Sequence, residues 1–150
     1  MLGDVSLNRD TASVIRYLNA LNGVIIVIPG SHDEWINDDL YRYNTDVTIA
    51  SPLGSLEIPN SYSKYPTVYS MCHYAQKVWD RSHYGSFHLY AHSHGGLPIY
   101  KNAVDVGVDC WDYYPVSLED ATDRILKQNE YLKTGKLFNS FANYLKEKYV

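Results

Sequence analysis

Apolar positions in the first third of the chain recur first at helical and then at strand spacing. Val14, Leu18 and Leu21 repeat at intervals of three and four, with Ile15 widening the stripe, which predicts an amphipathic helix opening at Asp10 as N-cap. Gly23 falls where a C′ glycine would end that helix. Residues 24–28 then form an unbroken run of Val and Ile, the mark of a strand buried on both faces, and Pro29-Gly30 stops it. Ser31, His32, Asp33 and Glu34 follow just beyond the carboxyl end of this strand, where α/β proteins form ligand sites. Met1 to Asp4 read as the end of another strand running into a loop.

From Val47 onward the apolar segments shorten. Residues 47–50, 56–58, 67–71, 88–91 and 103–106 are separated by Pro and Gly turns at Pro52, Gly54, Pro59, Pro66 and Gly85, which predicts several short strands of a mixed or antiparallel sheet. Ser117 with Asp120 three residues later resembles a capping box, so a helix should run from there to Lys133, before Gly135. Leu137, Phe141, Tyr144 and Leu145 mark a final amphipathic helix. With no repeat, low-complexity stretch or linker, one α/β domain over residues 1–150 is expected, and residues 117–150 form its helical C-terminal segment.

Composition narrows the field of partners. The apolar fraction of 45% can furnish a core, while a net charge of −4, from 13 basic and 17 acidic residues, argues against a broad electrostatic grip on nucleic acid. Cys72 and Cys110 are too few for a disulfide framework and lack C-x-x-C spacing, so reduced thiols and a cytoplasmic setting are expected. No apolar run approaches the roughly 20 residues of a membrane span, and the start of the chain carries no signal-peptide pattern.

The chemistry concentrates at strand ends. His92-Ser93-His94-Gly95-Gly96 follows the apolar stretch 87–91. Residues i and i+2 of an extended chain point to one side, so His92 and His94 are expected to converge on one point, and imidazole is the commonest protein metal ligand. Asp4, the Ser31-His32-Asp33 group, Cys72-His73 and His92-Ser93-His94 all lie at strand-to-loop junctions, in a chain with only six histidines. His88 lies too far upstream on its strand to reach the same loops.

In order and spacing these groups resemble the motifs of the calcineurin-like metallophosphoesterase superfamily, of the small single-domain bacterial and phage type. That family's motifs run D-x-H, G-D-x, G-N-H-D/E, a lone H, and G-H-x-H. Gly3-Asp4-Val5 is similar to the second motif, Gly30-Ser31-His32-Asp33 to the third, Cys72-His73-Tyr74 to the fourth and Ala91-His92-Ser93-His94-Gly95 to the fifth; Val106-Gly107-Val108-Asp109 also has a counterpart after the last motif. The resemblance implies a mixed β-sandwich flanked by helices, and metal-dependent hydrolysis of a phosphomonoester or phosphodiester whose identity the loops leave open. Family members hold two divalent ions, Mn²⁺, Fe or Zn²⁺, about 3.5–4 Å apart.

Carried over residue by residue, Asp4 would bridge the two metals. Ser31, His73 and His92 would complete one site, and His94 would serve the other. His32 would face the phosphate as the catalytic imidazole, with Asp33 orienting its loop.

Two departures follow. No D-x-H motif precedes Asp4, so one metal keeps only Asp4 and His94, too few for a Zn²⁺-like ion, and the sheet should have an open, loosely held edge beside residues 2–5. Ser31 stands where the family has asparagine, a better neutral oxygen donor. One metal or fewer per chain, and impaired catalysis, are expected; the alternative is a truncated, non-catalytic module that binds metal or phosphate.

Overall fold

The computed structural model describes residues 1–37, 40–43, 45–61 and 63–134. The helix anticipated around Leu137 to Leu145 lies outside them. The described residues form a mixed α/β architecture with two sheets.

Helix α1 spans Thr11–Asn19. Its N-cap is Asp10, whose carboxylate accepts from the Ser13 N–H at 3.2 Å and the Ser13 hydroxyl at 2.5 Å. Thr11, Val14, Ile15 and Leu18 form its buried face. Leu21 falls beyond that stripe, because the helix closes early with three-residue bonds from Ala20 N–H to Tyr17 and from Leu21 N–H to Leu18. Gly23 does adopt a positive φ of 99°, four residues past the last helical one.

Strand β1 (Ile25–Val27) pairs in parallel with β2 (Val47–Ile49). Met1 lies along the other edge of β1, donating to Ile26 O at 2.7 Å and accepting from Ile28 N–H at 3.0 Å. Met1 alone bonds to β1, and residues 1–4 form no strand. The segment 24–28 is not buried on both faces: Val27 is fully buried, but Ile26 is 52% and Val24 84% exposed. Only three residues pair with β2, and α1 with Trp35 covers a single face, so the other side of the β-branched run stays open among the described residues.

The second sheet runs β3 (Leu53–Ile58), β4 (Thr67–Cys72), β5 (Phe87–Tyr90), β6 (Ala103–Asp105) in spatial order. β3 and β4 are antiparallel, and the other two pairings are parallel. Tyr69, Leu89 and Val104 pack against Ala121 and Ile125 of helix α2 (Leu118–Thr134). Ser117 begins α2 as anticipated: its hydroxyl accepts from Asp120 N–H at 3.0 Å and donates to the Asp120 carboxylate at 2.6 Å. Among the described residues no helix is long and apolar enough to cross a membrane.

The edge beside residues 2–5 is held more firmly than its sequence position suggests. Leu2 packs against the second core, and its carbonyl accepts from His73 Nδ1 at 2.7 Å. Val5 N–H donates to Asp33 at 2.8 Å. A polar clasp, rather than a strand ladder, fixes these residues.

Candidate metal centre

Four segments deliver the polar groups to one region: the N-terminal residues and the ends of β1, β4 and β5. The first two interlock through glycine. Gly3 has φ 76°, and a Cβ there would fall 2.5 Å from the Gly30 backbone and 2.6 Å from His73 Nδ1. A Cβ on Gly30 would likewise strike the backbone nitrogen of Asp4. Two backbones in contact fix where Asp4, itself at φ 51°, presents its carboxylate.

That carboxylate is well held. Oδ1 accepts from the His32 backbone N–H at 2.8 Å, and the Ser31 hydroxyl lies 3.2 Å from both oxygens. Burial pushes the Asp4 carboxyl up, but the His32 N–H, the His73 imidazole and the Ser31 hydroxyl outweigh it and hold the group below its usual value. Oδ2 faces His73 Nε2 at 3.2 Å and His92 Nδ1 at 3.9 Å, and the two imidazole nitrogens are 3.1 Å apart.

His73 carries the decisive detail. A carbonyl oxygen only accepts, so Nδ1, bonded to Leu2 O, bears the ring proton. In the neutral ring Nε2 is therefore a lone pair, and it points at a carboxylate oxygen and a second imidazole nitrogen. One proton on His92 Nδ1 satisfies the histidine pair but leaves His73 Nε2 opposite Asp4 Oδ2, lone pair to lone pair. A cation among the three atoms satisfies every edge at once; the rival filling is a second proton on His73, giving an imidazolium–carboxylate pair.

The dimensions suit a metal. Ligand atoms about 2.0–2.1 Å from a tetrahedral ion stand about 3.3 Å apart, which two edges of the triangle match and the third approaches. His73 is 1% exposed, whereas the side chains of His92 and Asp4 are 46% and 23% exposed, so an ion could enter from solvent while leaning on a fixed ligand. A backbone carbonyl behind a ligating histidine is also the usual way such a ring is oriented. The described residues bring no other group of three or more His, Cys, Asp or Glu side chains to such a spacing.

His94 does not join this group. The alternation that would have aimed it beside His92 ends with β5 at Tyr90, and His92 and His94 take positive φ values of 62° and 49°. His94 instead pairs through Nδ1 with Asp109 and is largely exposed. The Asp109 bond and charge raise the His94 pKa above its ordinary value.

His32 is exposed, with its backbone bound to Asp4. Asp33 is buried and accepts three bonds, from Val5 N–H, Gly30 N–H and Trp35 Nε1, at 2.8–2.9 Å. It ties Val5 to Gly30, the two backbones beside Asp4. His88, set apart in the sequence, is fully buried between Ser70 O and Gln76 N–H.

Two residues with a part in the site carried little sequence signal. Leu2 contributes only its carbonyl, which no side-chain pattern can announce. Asp105 is a buried carboxylate at the end of β6, bonded to the loop carrying His92 and His94. Its one clue was an acidic residue closing an apolar strand.

Comparison with known proteins gives no match to a family model, to a curated protein or to a solved structure.

Proposed function

We propose that this chain carries a metallophosphoesterase-type site reduced to one divalent-metal position, formed by Asp4, His73 and His92 with Ser31 beside the carboxylate. On this reading the substrate is a phosphomonoester or phosphodiester. The observation that supports it most is the placement of His73 Nε2, 3.2 Å from Asp4 Oδ2 and 3.1 Å from His92 Nδ1 with Nδ1 bonded to Leu2 O, which brings together three residues of the family's motif order.

Mn²⁺, Fe or Zn²⁺ suits one carboxylate and two imidazoles, and would supply a Lewis acid that polarises a phosphoryl oxygen and acidifies water. The chain's own residues do the rest. Asp4 is held by two donors, the His32 N–H and the Ser31 hydroxyl, which favour its ionised form. His73 is buried and would set the direction of the site, and His92, half exposed, would complete the ligand set from the solvent side. His32, tethered at its backbone to Asp4, supplies an exposed imidazole that can hand a proton to a leaving oxygen. Asp33 keeps its loop in register with residues 3–5.

The test is initial rate on bis-p-nitrophenyl phosphate and p-nitrophenyl phosphate with Mn²⁺, for the parent, His73→Ala and His32→Ala. Slow, metal-dependent turnover that both substitutions abolish is expected. A parent that binds metal yet gives no turnover above His73→Ala would leave the second reading, a non-catalytic module for metal or phosphate.

A further inference from the structure

The loop that delivers His92 is held in an unusual backbone conformation by one buried carboxylate on the neighbouring strand. β5 ends at Tyr90, and the register pairs Tyr90 with Asp105, the last residue of β6. Asp105 is 8% exposed. Oδ2 accepts from the Ser93 hydroxyl at 2.5 Å and from Gly95 N–H at 3.1 Å, and Oδ1 accepts from Gly107 N–H at 2.8 Å. All three donors belong to loops leaving the ends of β5 and β6.

Between those anchor points the chain does something an L-residue resists. His92 and His94 have φ values of 62° and 49°, with Gly95 at 71°. Ser93 N–H reaches back to Ala91 O at 2.6 Å, and Gly96 N–H to Ser93 O at 2.7 Å, so the turn is tight on both sides. Left-handed conformations in non-glycine residues persist only where the surroundings over-determine them. Asp105 provides that by gripping Ser93, the residue between the two histidines, and Gly95, the residue after them.

We propose that Asp105 is the positioning residue of the metal centre: it touches no ligand atom, and it sets the affinity by holding Ser93 and Gly95 so that His92 Nδ1 stays near Asp4 and His73. The proposal rests on the reading of Asp4, His73 and His92 as a metal site. Both lobes of the carboxylate are used, so an amide cannot replace it. The side chain introduced by Asp105→Asn would accept on one side and present N–H₂ to an N–H or hydroxyl donor on the other. Ser93→Ala removes one of the three bonds from the loop side and leaves the buried carboxylate in place.

The experiment titrates the apo protein with Co²⁺, reading affinity by calorimetry and ligand geometry by the visible absorption of the bound ion. The parent, Asp105→Asn, Ser93→Ala and the double variant are compared, with the fraction folded of each apo protein fixed by circular dichroism at the titration temperature. Asp105→Asn is expected to weaken Co²⁺ at least tenfold and change its absorption band. Ser93→Ala should weaken it about threefold while melting like the parent, and the double variant should be no weaker than Asp105→Asn alone. If Asp105→Asn does not fold, Ser93→Ala decides, since a spectrum and affinity equal to the parent's would overturn the proposal. A loss that vanishes when affinities are compared at equal fraction folded overturns it as well. A parent that binds no Co²⁺ overturns the metal reading and this inference with it, whereas a parent that binds alongside unchanged variants overturns the inference alone.

Discussion

His73 and His88 are both buried imidazoles whose Nδ1 donates to a backbone carbonyl, and what faces Nε2 separates their roles. At His88 it is the Gln76 N–H, at 3.0 Å, so the neutral ring is complete. At His73 it is a carboxylate and another imidazole, so the neutral ring calls for a cation. Burial lowers the His88 pKa below 6.5, against bonds from backbone groups that raise it. The unfolded chain therefore takes up this proton first as pH falls, and the stability from neutral His88 is present above about pH 6.5 and lost below it. His94, with a raised pKa, acts in the opposite sense, so the readout must be a difference: the melting-temperature gap between the parent and His88→Gln should narrow from about pH 7.5 to about pH 5. A gap independent of pH would mean that His88 takes its proton in both states alike. Ser31→Asn is a second prediction at this scale. It places an amide oxygen beside Asp4 and should tighten Mn²⁺ binding about two- to tenfold, the value of one hydrogen-bond-sized gain, in a calorimetric titration. Equal affinities would show that residue 31 faces away from the ion. Asp4, His73 and His92 could be picked out in the sequence because their residue types recur at strand ends in a known order. Leu2 O and the Asp105 clamp could not, since one is backbone and the other takes its meaning from a neighbouring strand.

Elements position this site through their ends. The turn after Met1 and Leu2 crosses the turn after β1 at Gly3 and Gly30, and each glycine occupies space that a Cβ would need. Gly30→Ala should therefore cost about 1–3 kcal/mol in a urea titration, the usual penalty of overpacking, and weaken metal binding together with stability. An alanine variant with the parent's affinity would show that the two turns need not interlock. The sequence announced most strands to within a residue or two, because Pro and Gly punctuate most of them and β-branched residues fill them, but Gly54, read as a turn, lies inside β3 opposite Met71. It misled where side-chain pattern and pairing part company. The run 24–28 looks doubly buried, yet β1 pairs over three residues and leaves Ile26 open. Alternation was carried past the end of β5 to His94, where left-handed turns replace it.

For the whole molecule, a metal held by segments as distant in sequence as Asp4, His73 and His92 would tie both sheets together, since Asp4 lies beside the end of β1 and the histidines follow β4 and β5. An ion that binds only the folded chain stabilises it by about 2.7 kcal/mol at one hundred times its Kd. For a chain of this length that is a rise of about 5–10 °C in melting temperature, reversed by a chelator. A melting temperature indifferent to Mn²⁺, Zn²⁺ and chelator would favour the imidazolium–carboxylate pair instead. The most direct measurement of the central claim is elemental analysis of the chain after equilibrium dialysis against Mn²⁺ or Zn²⁺, run beside His73→Ala. The predicted result is one ion per chain in the parent and none retained by the variant. Two tightly held ions in the parent, or equal retention by His73→Ala, would contradict it.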